Sequence, residues 1–518
     1  MSAAAEGPDT GRVIVVGAGI AGLYAALHLA PHPVLVISPE PLGEGASSAW
    51  AQGGIAAAIG PGDSPADHAA DTVRAGAGTV VETVAASVTA EARAHILELT
   101  GRGAPFDRDA RGGYVLSREA AHSRARVVRV KGDQAGREIM ATLVAEVRRT
   151  ASVQVLEGVS ATGLAVEAGR VTGVTVTAAD GHSGAVTLRG RAVLLAGGGA
   201  AGLYARTTNP PRVRGQALGL AARAGAMVAD AEFMQFHPTA IDTGEDPAPL
   251  ATEALRGEGA RLIDRNGRRF MATLHPDAEL APRDVVARAI FAAERDGLRP
   301  ALDTRGCLGE AIDARFPEVA SACRRAGIDP VAQPIPVTAA AHYHMGGVEV
   351  TGPGRSSLLG LWVVGEASAT GLHGANRLAS NGLLEALVYA RRAAADMAER
   401  LGAARAMPSV ALILPPGGRP VDPEAVAILR RLMSEHVGVV RTAEGLRTAL
   451  RGIAALERDA PPAAFLNMTA AATLIAAAAL LREESRGGHF RNDFPLPRQG
   501  AGRSRLTLAE AMTLRDTL

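Results

Sequence analysis

Residues 12–22 read "RVIVVGAGIAG". An unbroken apolar run of this length, flanked by glycine, predicts a strand buried on both faces, as in a parallel sheet. Gly17, Gly19 and Gly22 complete a G-x-G-x-x-G between that strand and a helix expected to run to about Ala30. The first glycine permits the tight turn. The second lets backbone approach a pyrophosphate, and the third lets helix and strand pack closely. The helix N-terminus then faces the anion. Residues 34–38, "VLVIS", read as the second strand, so a βαβ unit that binds a dinucleotide opens the chain.

The pattern continues outward. Residues 153–190 alternate between apolar and polar in short runs broken by Gly and Asp, which predicts an antiparallel meander. Buried strands return at "RAVLLAGGG" (191–199) and "LWVVGEAS" (361–368), the latter followed by a helix at about 382–400. Between them, from about 231 to 345, the texture is more polar, with a helix expected at 282–297. The expected plan is therefore α/β: a Rossmann-like domain (1–230 and 346–410) interrupted by an α+β capping domain (231–345). Residues 405–422 are Pro/Gly-rich and read as a linker, and a C-terminal helical bundle (418–518) follows, with helices expected at about 423–436, 442–457 and 468–484. Asp422-Pro423 starts the first of these: a side-chain cap, then proline in the first turn.

Bulk properties exclude several classes. The formal charge of +1 gives no field for nucleic acid or an acidic membrane surface. The basic residues are almost all arginine; Lys131 is the single lysine. Two cysteines, Cys307 and Cys323, make neither a disulfide framework nor a four-ligand zinc site, and no metal is expected. The N-terminus lacks the pattern of a secretion signal. The apolar run "AAATLIAAAALL" (470–481) is too short to span a bilayer and reads as a buried helix. These readings predict a cytoplasmic protein with no membrane partner.

Which dinucleotide binds is indicated farther along. "ASSAWAQGGIAAA" (46–58) is a small-residue loop rich in hydroxyl and backbone donors. Glu366 follows a strand, where a carboxylate can accept from a sugar-alcohol hydroxyl. Ser380, Asn381 and Gly382 begin a helix whose positive end suits an anionic reduced ring. These are features of a flavin site. Expected cofactor contacts are Gly17, Ala18, Gly19, Ile20, Gly22, Ser38, Ser47, Ser48, Ala49, Trp50, Ala51, Gln52, Gly53, Gly54, Asp230, Glu366, Ser380, Asn381, Gly382 and Leu383. The usual acidic residue for the adenosine ribose is replaced by Ser38, with Glu40 two residues on; either can serve.

The strings "AQGGIAA", "EFMQFHPT", "TEALRGEGARLID", "AAHYHMGGVEV", "VVGEASATGLHGANRLASNGLLE" and "REESRGGHFRNDFP" resemble the flavoprotein family of succinate dehydrogenase, fumarate reductase and L-aspartate oxidase, over about residues 12–495. The resemblance implies FAD and a dicarboxylate substrate. It assigns His237 and His342 as carboxylate-binding histidines and Arg377 as a bidentate carboxylate partner. Arg283 matches the family's active-site arginine, and Gln235 and Thr252 match lesser polar contacts. His344 reads as structural, and His28, His68 and His275 fall in no motif.

One acidic residue separates the members of this family. Glu119 lies in "SREAAHS" (117–123), among arginines. Spacing alone reads it as a partner of His122 or of a nearby arginine on a solvated face. The resemblance instead matches it to a glutamate of L-aspartate oxidases that meets the substrate ammonium. Two unit charges about 4 Å apart interact by about 4 kcal/mol at an effective dielectric near 20, enough to favour aspartate over succinate. The respiratory members attach FAD through a histidine five residues before the Gln (or Glu) of "AQGG"; that position is Ser47 here, so non-covalent FAD is implied. The implied activity is oxidation of L-aspartate to iminoaspartate, with oxygen or fumarate as acceptor and quinolinate synthase receiving the product in NAD biosynthesis. A soluble fumarate reductase or succinate-oxidising flavoprotein is the alternative.

Overall fold

The strand Val13–Val16 lies at the centre of a five-stranded parallel sheet, in the order Leu361–Val363, Ala192–Leu195, Val13–Val16, Val34–Ser38, Val153–Glu157. The computed structural model describes residues 4–500 and 502–518. Val13–Val16 and Ala192–Leu195 are buried throughout, as a parallel sheet covered on both faces requires. The helix Ile20–Leu29 follows the glycine turn and packs against the helix Asn381–Leu401. The two chain segments expected to hold a flavin thereby meet in direct helix–helix contact beside the sheet.

One strand departs from the sequence reading. Val153–Glu157 alternates like its successors, yet it pairs in parallel with Val34–Ser38. Gly158, at φ +72°, turns the chain out of that sheet. The antiparallel meander begins only at Val159, with strands Val159–Glu167, Arg170–Ala178 and Val186–Arg189. The strand Ala5–Asp9 adds to its edge in parallel, without any apolar signal in its sequence.

A second antiparallel sheet carries residues of the substrate motifs. Its order is Met234–Ile241, Ile335–His344, Ala301–Asp303, Arg261–Ile263. The helix Arg283–Arg295 packs on its first two strands. Met234 pairs with His344 and Gln235 with Tyr343, and the register shifts after Gln235 and after His237. Such irregularities re-aim side chains, and bulges gather beside active sites for that reason.

The C-terminal helices are Pro423–His436, Ala443–Leu456, Ala463–Leu481 and Leu508–Asp516. Asp422 caps the first through the Glu424 amide. The third starts five residues before its expected position and has 19 residues, so it is long and apolar enough to cross a membrane, contrary to the reading of 470–481. Of its most apolar window, 78% is buried inside the protein. It packs so closely on the helix Gln216–Arg223 that a Cβ on Gly219 would stand 1.9 Å from the Asn467 carbonyl oxygen. A helix enclosed on all sides is apolar on all sides. The last helix was not read from the sequence; its signal is the capping box of Thr507 and Glu510.

Candidate active site

One cavity of about 1500 Å³ runs from the glycine turn to the second sheet. That exceeds the usual range for a drug-sized ligand and suits a dinucleotide with a substrate beside it. At its near end Gly17 has φ +109°, and a Cβ on Gly22 would lie 2.0 Å from the Gly17 carbonyl oxygen. Gly22 thus serves helix packing. Gly17, Ala18 and Gly19 line the cavity, while Ile20 is buried in the core behind them. The Ile20 amide donates to Ser48 Oγ at 3.2 Å, tying the helix start to the small-residue loop.

That loop, Ser47 to Gly54, lines the cavity continuously. Ser47 Oγ donates to Asn209 Oδ1 at 3.2 Å, and buried Gln52 Oε1 has no protein partner. Ser38 and Glu40 both line the cavity. Ser38 Oγ donates to the Glu40 carbonyl at 2.6 Å, and the Glu40 carboxylate pairs with Arg212. Glu366 is half-buried on the cavity wall; desolvation pushes its carboxyl up to about 7, and it accepts from the His344 amide at 2.9 Å. Ser380, Gly382 and Leu383 complete this wall. The glycine cradle, the orphan Gln52 oxygen and the Glu366 carboxyl on the cavity wall fit FAD.

Besides Ile20 and Gly22, two further expected contacts do not line the cavity. Asp230 does not line the cavity; its carboxylate takes Arg503 Nε at 2.6 Å. The reason is backbone: at φ +58° Asp230 turns the chain toward Ser504, whose carbonyl receives its amide. Asn381 is fully buried and also lies behind the wall, held by His68 Nε2 at 2.8 Å and donating to Thr72 Oγ1 at 2.9 Å. His68 fell in no motif because this partner is 313 residues away.

At the far end the cavity is lined by Glu119, His237, Thr252, Arg283, His342 and Arg377. Gln235 sits just behind them: Arg283 Nη1 donates to Gln235 Oε1 at 2.9 Å, and Gln235 Nε2 donates to the Arg377 carbonyl at 2.9 Å. The His237 and His342 rings meet edge to face, with centroids 5.0 Å apart. Burial, then the Arg283 charge, holds both imidazoles well below their usual value, so both are neutral. His237 Nδ1 accepts from the Thr239 amide at 3.2 Å, which leaves Nε2–H as a donor. His342 Nδ1 is fixed by Thr208 Oγ1 at 2.8 Å. The Arg377 guanidinium lies over the Tyr343 ring at 4.4 Å, and its Nε is buried without a partner. His344 is structural, with Nε2 on the Ala231 carbonyl at 2.9 Å.

Glu119 is 3% exposed and turned inward. Ser380 Oγ donates to its Oε2 at 3.0 Å. Burial, then the Glu253 charge, pushes its carboxyl up to about 7. It makes none of the solvated ion pairs that spacing alone suggested.

Sequence reading passed over Glu253 and Arg256, although both lie in "TEALRGEG" beside Thr252. Glu253 is buried and takes Arg283 Nε, with Arg256 Nη2 at 3.4 Å. Burial opposes its charge, but Arg283 and Arg256 outweigh that and hold the carboxyl below its usual range. The available signal was a glutamate and an arginine one helical turn apart in a motif already quoted. The far end of the cavity therefore carries guanidiniums at Arg283 and Arg377 and carboxyls at Glu119 and Glu253, with Arg256 buried behind Glu253. Such a set can hold a small dicarboxylate that also carries a cation.

Comparison with known proteins extends this reading. Residues 12–383 match the FAD binding domain family, and residues 463–515 match the fumarate reductase flavoprotein C-terminal family. An L-aspartate oxidase of Caulobacter vibrioides is 52% identical over 95% of this chain and 94% of its own length. Another, of Agrobacterium fabrum, is 47% identical over 98% of this chain and 96% of its own. Among solved structures, the FrdA chain of E. coli quinol fumarate reductase superposes with a TM-score of 0.83 at 27% identity, covering 95% of this chain and 92% of that one. Mycobacterium smegmatis Sdh1 gives 0.78 at 31% identity, covering 94% and 89%.

Proposed function

The chain belongs to the L-aspartate oxidase family of FAD-binding flavoproteins, and on that premise we propose how its residues divide the work. The reaction is FAD-dependent oxidation of L-aspartate to iminoaspartate. Two electrons and two protons leave the substrate as its amine becomes an imine. Bound FAD supplies the two-electron acceptor.

Arg377, with its unpaired Nε, takes one substrate carboxylate, joined by His342. The Nε2–H of neutral His237 and the hydroxyl of Thr252 serve the other. Glu119 faces the ammonium, and its charge fixes which end of the molecule stands at the reacting carbon. Arg283, held by Glu253 and Gln235, supports negative charge near the reaction. A guanidinium is a poor base at neutral pH, so we give Arg283 a charge-stabilising role. Orientation and charge complementarity carry the catalysis. Residues 231–345 act as a cap on the domain formed by 1–230 and 346–410, closing to keep water from the imine; residues 418–518 form the helical domain.

The final electron acceptor would be oxygen, leaving as hydrogen peroxide, or fumarate, leaving as succinate. The protein works in the cytoplasm and passes iminoaspartate to quinolinate synthase, at the start of NAD synthesis. A non-covalent cofactor is supported by Ser47 at the family's attachment position.

The observation that carries this reading is the buried, inward-facing Glu119 carboxyl. A succinate-oxidising or fumarate-reducing enzyme has no cation to offer it. The test is a substrate screen of the purified yellow protein. Anaerobic L-aspartate should bleach the flavin and aerobic L-aspartate should yield peroxide. Bleaching by succinate alone would favour the alternative, and no bleaching by either would mark a flavin-binding subunit without catalysis.

A further inference from the structure

Glu119 sits on an irregular loop, 118–126, between the paired strands Leu116–Ser117 and Val127–Val128. No ladder fixes the loop, so side chains must. Behind it is a buried polar cluster that the site described above does not use. Arg126 is fully buried and forks onto Asp63, with Nε to Oδ2 at 2.9 Å and Nη2 to Oδ1 at 3.0 Å; its Nη1 also meets Asp71. Asp71 accepts from both the amide and the hydroxyl of Ser123 at 2.7 Å. It lies on the helix Pro65–Ala75, which also carries His68 and Thr72, the two partners of Asn381.

His122 connects the two halves. Arg126 Nη1 donates to His122 Nδ1 at 3.4 Å, so the ring proton resides on Nε2 and is donated to the Ala379 carbonyl at 3.0 Å. The next residue, Ser380, donates to Glu119. The loop and the start of the helix Asn381–Leu401 are thus joined twice, once through His122 and once through Ser380. A buried ion pair is weak evidence for stability, because desolvation offsets its attraction, and fixing one arrangement is its best-attested use.

We propose that His122, oriented by Arg126 on Asp63 and Asp71, is a positioning residue that sets selectivity for an amino-dicarboxylate by holding Glu119 against Ser380. The inference rests on the reading of Glu119 given above. Its consequence is confined to the cation-binding side of the site, since Arg377, His237 and His342 are held by other contacts.

The test compares KM for L-aspartate with the inhibition constant of succinate, which lacks the amine, in the FAD-loaded protein. His122→Leu removes both ring contacts. His122→Gln keeps an N–H donor for the Ala379 carbonyl and an oxygen for Arg126. In His122→Leu we expect KM for aspartate to rise about tenfold with the succinate constant changed less than about twofold, and His122→Gln to recover most of the loss. Arg126→Lys, which keeps the buried charge but loses the fork, should show the same split. If KM and the succinate constant rise together, or if neither moves, the inference is overturned while wild-type aspartate turnover stands. A wild-type protein that binds succinate and ignores aspartate would remove the proposed function, and this inference with it.

Discussion

Ser380 Oγ donates to Glu119 Oε2 at 3.0 Å, joining residues 261 positions apart in the chain. Gly53 packs beside both; a Cβ there would stand 3.2 Å from Glu119 Oε1 and 3.2 Å from Ser380 Oγ. The surroundings of the Glu119 carboxyl thus draw on three separated segments: the loop holding Gly53, the hairpin loop holding Glu119, and the start of the helix Asn381–Leu401. An isolated carboxylate buried this deeply is costly unless something cationic answers it. In this account the substrate ammonium does so.

That cost has a pH signature. The Glu119 carboxyl in the fold ionises at about 7, above its unfolded value of 4.5. Below the unfolded value both states are protonated and nothing is lost. As pH rises toward 7 the unfolded chain releases its proton while the fold retains it, so stability falls across that window and stays low above it. Glu119→Gln is therefore expected to raise the melting temperature of substrate-free protein at about pH 8 and to leave it unchanged at about pH 4.5. In the wild type, kcat/KM for aspartate should rise with pH through about 7 as the carboxylate forms. A variant equally stabilised at both pH values would contradict the assignment.

In the proposed function Arg377 takes a carboxylate that aspartate and succinate share. Arg377→Lys keeps the charge and loses the planar fork, so KM for aspartate and the succinate inhibition constant should both rise, by about tenfold or more. Steady-state kinetics with succinate as competitor checks this. A change limited to aspartate would move Arg377 out of that role.

Gly22→Ala places a methyl 2.0 Å from the Gly17 carbonyl oxygen. The strand-helix turn must shift, at about 1–3 kcal/mol for an overpacked site. We expect a lower melting temperature and poor FAD retention after gel filtration, both absent from a Gly101→Ala control, where a Cβ meets nothing within 4 Å.

Ser47 bonds Asn209 and offers no imidazole for attachment. Acid precipitation is expected to leave the yellow colour in the supernatant. Flavin retained in the pellet would show covalent attachment at another residue.

The parallel core was legible because strands buried on both faces read as continuous apolar runs, as in Val13–Val16 and Ala192–Leu195. Val153–Glu157 was not, because its alternation, "VQVLE", is equally compatible with either sheet. The helix Ala463–Leu481 was read late and short: its first turn, "AAFLN", follows two prolines and lacks a side-chain cap. Within the site, the motifs supplied every side chain of the far end except Glu253 and Arg256. Their i,i+3 spacing offered a local signal, but the buried pairing of Glu253 with Arg283, 30 residues on, did not show in it. Asp230 was misplaced for a related reason: its backbone turn and its Arg503 partner decide its direction. Likewise nothing near His68 or Arg126 in sequence announces their buried partners, Asn381 for the one and Asp63 with Asp71 for the other.

The most direct measurement is the aspartate-to-succinate preference of Glu119→Gln, taken as KM for aspartate against the inhibition constant of succinate in the FAD-loaded enzyme. The account predicts that aspartate binding weakens by about tenfold to a hundredfold while succinate binds as well as before or better, since an unanswered charge has been removed. Equal weakening of both ligands, or an unchanged preference, would contradict it.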